Sequence, residues 1–321
     1  MLRYGRELKT NKIKNPADLS GTWNRNFGRP VIFMKFFPLF FLFFAGFFLN
    51  ACTSSNAERF WAKMREESFS RNFMALDIPS EPFRLAGLLK DGGGEDLVVY
   101  LEGDGRAFVG GHPTLDPSPG KAQAYELALL DPAPTVLYLA RIGQFQPEFT
   151  GKDFQEYWTV KRLAPEALAS ANQAIDLVLS RTGAKRLHLI GYSGGGGLAV
   201  LLAQNRSDVA SLVTVAGLLD IEWWVKEEGY LPLVGSMNPA DNVEKICDLP
   251  QIHFYGEKDR IIVPAMSRHF ERLASFSDFR RIAVPTNHWK EWTSLWPGFL
   301  RKSLVPLRER SAKAAENAGR K

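Results

Sequence analysis

Residues 186–198 read RLHLIGYSGGGGL, and the way this stretch folds decides how the rest of the chain is arranged. An apolar run stops at Gly191, and two residues later Ser193 is followed by Gly194, Gly195, Gly196 and Gly197. Adjacent glycines lose more backbone freedom on folding than any other residues, so something local must require them. The run up to Tyr192 has the composition of a buried strand, and Leu198 to Gln204 that of a helix. The serine therefore stands at a strand-to-helix corner.

In that context Gly191-x-Ser193-x-Gly195 has the G-x-S-x-G form, in which a sharp turn lifts a serine hydroxyl above the sheet. A phosphate-binding loop would need Lys and Ser/Thr after the last glycine, where this chain has Leu198 and Ala199. A dinucleotide pattern, Gly194-x-Gly196-x-x-Ala199, would begin three residues past the strand, and no acid closes the next strand, VTVAG. An inert glycine-rich turn is the remaining alternative to a nucleophile.

Similar apolar runs recur on both sides of this corner, at 97–103, 135–141, 210–217, 251–257 and 279–285. Near-continuous rather than alternating apolarity predicts strands buried on both faces of a parallel sheet. Helical spacing at 164–181, 198–204 and 266–276 separates most of them. The fold class is thus α/β with a mostly parallel sheet flanked by helices. Two longer segments, 142–158 and 218–240, follow strands at the edge where such sheets bind ligands. The second is expected to form a small cap, and Phe145, Phe149, Trp158, Trp223, Trp224 and Tyr230 to line an apolar pocket, ordinary loop packing being the alternative for each.

An unassisted serine is a poor nucleophile at neutral pH and needs a base. Of five histidines, His112 and His188 precede Ser193, His253 lies within an apolar strand and His269 within an amphipathic helix. His288 follows the last strand and is the candidate base. Asp259, in GEKDRIIVP, is the candidate acid to orient it, with Asp220 and Glu257 as rivals. An oxyanion would be held by the amide of Gly194 and by Asp104 or Gly105 in the turn EGDG after an earlier strand, Asp104 being favoured. The carboxylates of Glu102 and Asp104 would oppose that charge unless turned away or paired, and Arg106 is a candidate partner.

Together EGDG, GYSGG, GEKDRIIVP and the late His288 resemble the α/β-hydrolase superfamily. With the LARIGQ stretch they are similar to a group of bacterial envelope hydrolases, over roughly residues 75–300. The resemblance implies an α/β-hydrolase fold and a Ser193–His288–Asp259 mechanism acting on an ester or lipid-like acyl substrate, without cofactor or metal. A peptidase or thioesterase of the same fold, or a binding protein that keeps the fold without turnover, are the alternatives.

The N-terminal region carries a different signal. From Met34-Lys35 the chain runs through 14 uncharged residues, Phe36 to Leu49, to Leu49-Asn50-Ala51-Cys52, which resembles a lipoprotein signal peptide with Cys52 as the acylated residue. A plain signal anchor over Val31 to Leu49 is the alternative. Residues 1–33 are expected to be an upstream extension, 34–51 the signal peptide, 52–74 a tether or first helix, 75–305 the hydrolase domain and 306–321 a polar, frayed tail. Thr53, not Asp, after Cys52 favours an outer-membrane, periplasm-facing location by resemblance to enterobacterial sorting. Cys247 is the only other cysteine, expected to be buried and inert.

The net charge of +5 does not point to nucleic acid. Residues 1–35 hold eight Lys/Arg against two Asp/Glu and residues 301–321 hold seven against two, which leaves the body between them at −6. Basic ends on an acidic body form no phosphate-tracking stripe.

Overall fold

The computed structural model describes residues 55–318. The expectations for 1–33, for the signal peptide 34–51 and for Cys52 concern residues outside this range. The described chain opens with helix α1 (Asn56–Phe69), capped reciprocally by Ser55 and Glu58. Strands β1 (Phe73–Ser80) and β2 (Phe83–Asp91) form an antiparallel hairpin. Then come β3 (Asp96–Leu101), a short ribbon of β4 (Phe108–Val109) and β5 (His112–Pro113), α2 (Gln123–Ala128) and β6 (Thr135–Leu139). Helix α3 (Pro165–Thr182), β7 (Arg186–Tyr192), α4 (Gly194–Asn205), β8 (Val209–Val215) and α5 (Ile221–Glu228) continue the alternation. It closes with β9 (Gln251–Gly256), α6 (Ala265–Glu271), β10 (Phe279–Val284), α7 (Trp292–Phe299), a π turn at Leu300–Leu304 and α8 (Val305–Ala318).

The main sheet has eight strands in the order β1-β2-β6-β3-β7-β8-β9-β10. From β6 to β10 every neighbouring pair is parallel, and only the β1–β2 and β2–β6 pairs are antiparallel. Burial on both faces explains the unbroken apolar runs. In β3, Leu97, Val99 and Leu101 enter one core layer with α3 and α4, while Val98 and Tyr100 enter the other with α2 and α7. Neither face meets water, so alternation had nothing to encode.

All six predicted strands are present, and the β1–β2 hairpin is an addition to them. In β1 only Phe73, Ile78 and Ser80 are buried, since it is an edge strand with one neighbour. The segment read as a tether or first helix forms α1 and the start of β1, and the polar tail is helical to Ala318. Leu307 is fully buried, and Arg308 donates to both oxygens of Asp131 at 2.9 and 2.7 Å, which fastens α8 to the body. Cys247 is half-buried, its thiol donating weakly to the Val243 carbonyl at 3.4 Å.

Candidate active site

Ser193 joins β7 to α4 with φ 52° and ψ −121°, a backbone region that residues with a side chain rarely occupy. Its neighbours hold it there. Its amide donates to the Val215 carbonyl at 2.9 Å, and its carbonyl accepts from Gly196 N at 2.9 Å and Leu218 N at 3.0 Å. The corner is thus fixed by the end of β8 as much as by its own loop.

The four glycines form the first turn of α4 and give four separate close approaches. A Cβ on Gly194 would lie 2.0 Å from Asp104 Oδ1, and one on Gly195 2.4 Å from the carbonyl oxygens of Leu101 and Glu102. A Cβ on Gly196 would lie 2.7 Å from Gly217 Cα, and one on Gly197 2.6 Å from the Leu218 carbonyl. The helix start is wedged between the ends of β3 and β8. At Gly195, Gly196 and Gly197 the nearest atom is backbone, and only hydrogen fits.

Above this corner the three predicted side chains meet. His288 Nε2 lies 2.9 Å from Ser193 Oγ, and His288 Nδ1 lies 2.7 Å from Asp259 Oδ2. All three residues are buried. The other carboxylate oxygen of Asp259 accepts the amides of Ile261 and Ile262 at 2.8 and 3.0 Å, which orients the acid. The His288 carbonyl accepts from Tyr192 Oη at 2.8 Å and Trp292 Nε1 at 2.9 Å, which orients the base. Backbone bonds from Glu257 N to Val284 O and Lys258 N to Thr286 O, both 2.9 Å, tie the acid loop to the histidine loop. Such a relay can take a proton from the hydroxyl and stabilise the imidazolium that results.

The rival acids are elsewhere. Asp220 accepts from His269 Nε2 at 2.9 Å and caps α5 through Trp223 N at 3.0 Å. Glu257 supplies its backbone to the loop tie. His188 and His253 are buried within strands, and burial lowers the basicity of both, His253 down to about 3.

The turn Gly103–Gly105 packs directly on the serine: a Cβ on Gly103 would lie 3.2 Å from Ser193 Cβ. Gly105 has φ +62°, and a Cβ there would lie 2.0 Å from the Pro117 carbonyl. Among the described residues no hydrogen bond occupies the amides of Asp104, Gly105 or Gly194. The Asp104 carboxylate is paired with Arg162 Nη1 at 2.5 Å and faces Arg141 Nη1 at 3.6 Å, rather than Arg106 as expected. Arg141 donates in turn to the Arg162 carbonyl. Gln144 spans the turn, donating to the Gly103 carbonyl at 2.9 Å and accepting from Arg141 N at 3.0 Å. Arg141, Arg162 and Gln144 were not singled out from the sequence as site residues. The LARIGQ stretch that contains two of them was its only signal.

Glu102 lies under the same turn. It accepts the Gly103 amide at 3.0 Å and the Ala124 amide at 3.2 Å, the latter at the start of α2. Burial outweighs these amides and pushes its carboxyl from an ordinary 4.5 up to about 7. Between those values the unfolded chain has lost a proton that the folded chain keeps, so stability falls as pH rises through the window and stays lower above it. The full effect is on the order of 3 kcal/mol. Glu102→Gln removes this titration. Urea midpoints at pH 5 and pH 8 are expected to fall less for the variant than for the wild type.

A pocket of about 300 Å³ opens onto Ser193 and His288, with Arg106, Lys121, Gln123, Ile261 and Trp289 on its walls. None of the six aromatics expected there contributes. Phe145 stacks on Trp61, Phe149 packs on Phe83, and Trp158 donates to the Thr114 carbonyl. Trp223 stacks on His269 and Trp224 packs against Tyr230. The 218–240 segment is present as α5 and a following loop. It borders a separate cleft of about 580 Å³ that includes neither Ser193 nor His288. The six expected aromatics pack against other side chains, and the pocket is walled by the 102–123 connection together with Ile261 and Trp289.

The strand order, the crossed corner and the relay define the α/β-hydrolase fold, and solved structures agree. The chain is similar to the esterase Pf2001 of Pyrococcus furiosus at 12% identity and TM-score 0.56, over 76% of this chain and 94% of that one. It is also similar to Est1E of Butyrivibrio proteoclasticus with ferulic acid bound, at 12% identity and TM-score 0.55, over 73% and 100%. A third likeness is to the acylaminoacyl peptidase of Pyrococcus horikoshii, at 13% identity and TM-score 0.54, over 76% of this chain but 42% of that one. No family model and no curated sequence matches the chain.

Proposed function

We propose that this protein is a serine hydrolase that cleaves a carboxylic ester through an acyl-enzyme, held at the bacterial envelope by a lipid on Cys52. The unbroken hydrogen-bonded path from Ser193 through His288 to Asp259 carries the reading. Ser193 Oγ attacks the acyl carbon while His288 Nε2 takes its proton. The carbonyl oxygen gains negative charge against the amides of Gly194 and of Asp104 or Gly105. His288 then returns the proton to the departing alcohol oxygen, and a water activated in the same way releases the acid. Ester rather than amide is supported by the two esterases, which this chain spans almost end to end, whereas it matches less than half of the peptidase.

A fluorophosphonate probe is expected to label the folded full chain at Ser193, and short p-nitrophenyl esters to be hydrolysed. A folded chain that resists the probe refutes the reading and favours a binding protein that keeps the fold. For the anchor, the intact mass of membrane-extracted protein is expected to begin at a lipid-modified Cys52. A mature form that retains residues before it rules the anchor out.

Gln144→Ala leaves the turn carbonyl of Gly103 without its side-chain donor and loosens the donors of the oxyanion site. Misplacement of a reacting group by about 1 Å can cost 10²-fold. The expected result is a fall in kcat of about tenfold to 10²-fold with KM little changed, measured on a short ester.

A further inference from the structure

The pocket beside Ser193 has an uneven charge distribution. Beside His288, two carboxyl and two cationic side chains line it: Glu102, Asp104, Arg106 and Lys121. Neither carboxylate is free to face a ligand. Glu102 is buried with its oxygens on the Gly103 and Ala124 amides, and Asp104 is turned onto Arg162 with Arg141 behind it. Arg106 has no ion-pair partner among the described residues and is exposed. Lys121 reaches Glu126 only at 3.4 Å, and its side chain remains 54% exposed. The same Glu126 oxygen accepts from Thr293 Oγ1 at 2.5 Å, and Glu126 is not among the residues that line the pocket. Two cations therefore share the pocket with two carboxyls that are already engaged by backbone amides and by buried arginines.

We propose that the substrate is a small anionic ester, whose carboxylate or phosphate is received by Arg106 and Lys121 while its carbonyl meets Ser193. This rests on the hydrolase reading above and specifies its substrate class. The pocket, at about 300 Å³, is at the lower end for ligand sites, so the charge lies within a few bonds of the scissile carbonyl. Its apolar lining is confined to Pro119, Tyr192, Ile261 and Trp289, since the six loop aromatics are packed elsewhere. Guanidinium is the fitting donor for a planar carboxylate or a phosphate, because its fork matches both. Lys121 adds a second, mobile charge.

The source of the charge, acyl side or leaving-group side, is separated by two matched pairs assayed with the full chain. Mono-p-nitrophenyl glutarate is compared with p-nitrophenyl pentanoate, and 4-carboxyphenyl butyrate with 4-carbamoylphenyl butyrate. In one pair the charged ester is expected to exceed its neutral twin in kcat/KM by about tenfold or more, the scale of one charge-assisted hydrogen bond. That ratio is expected to fall toward one in Arg106→Gln and in Lys121→Gln, and to shrink as salt is raised. The pair that shows it assigns the side. Ser193-dependent hydrolysis of the neutral esters with no charged preference in either pair overturns the proposal and leaves the hydrolase reading standing. So does a preference that survives both substitutions. A chain that neither reacts with fluorophosphonate nor hydrolyses any of the four esters overturns both.

Discussion

Ser193→Ala is expected to lower kcat on a short ester by about 10⁵- to 10⁶-fold while leaving the melting temperature unchanged, as read by stopped assays and thermal unfolding. The Ser193 hydroxyl touches only His288 Nε2 and takes no part in fixing the corner, which is held by backbone bonds to Val215, Gly196 and Leu218. Removing it therefore deletes the proposed nucleophile and leaves the corner's backbone bonds in place. His288→Ala is expected to cost about as much, because a hydroxyl without its base is as idle as a base without its hydroxyl. The double variant is expected to be no worse than either single one, since residues that act as a unit lose their effect together. If the two losses multiplied, the serine and the histidine would be working separately and the relay would be wrong.

Gly195→Ala is expected to destabilise the fold by about 3 kcal/mol, the upper range for overpacking. Its Cβ would fall 2.4 Å from two backbone oxygens at the end of β3, and neither can rotate away. Helix and strand must separate, and that also displaces the Gly103–Gly105 turn. For a domain of this size the expected drop in melting temperature is roughly 6–12 °C. Gly298→Ala is the counterpart. It lies in α7 with nothing within 4 Å of a would-be Cβ, and it is expected to raise stability by about 0.5 kcal/mol. Opposite signs from the same substitution would separate the demand for space from the cost of glycine itself.

The sequence made some of this legible and hid the rest for physical reasons. Strands buried on both faces announce themselves as apolar runs, so β3, β6, β7, β8 and β9 were readable, while the partly buried edge strand β10 was read from the mixed run FRRIAVP. The edge strand β1, with exposed Met74 and Ala75 and a half-exposed Leu76, carries no such run, and β2 is written largely in Leu and Ala, which suit helices equally well. Ser193, Asp259 and His288 stood out because each follows a strand, in chain order, at one edge of the sheet. Asp104 was visible as part of a turn, but its partners Arg162 and Arg141 come from segments 58 and 37 residues away in sequence, where no periodicity links them. The loop aromatics misled because a large apolar side chain looks the same in sequence whether it faces a ligand or a core. Only packing against Phe83, Trp61 or Tyr230 settles it.

The wedge at the start of α4 also bears on how this gene can vary. Every codon one base away from a glycine codon, other than another glycine or a stop, specifies a residue with a Cβ. At Gly194, Gly195, Gly196 and Gly197 each such Cβ would fall 2.0–2.7 Å from a neighbouring segment. At Gly195, Gly196 and Gly197 that segment is backbone, so three consecutive codons offer no missense change that can be absorbed without moving it. A saturation library carried through selection for activity should come back with nine consecutive bases varying only at synonymous positions.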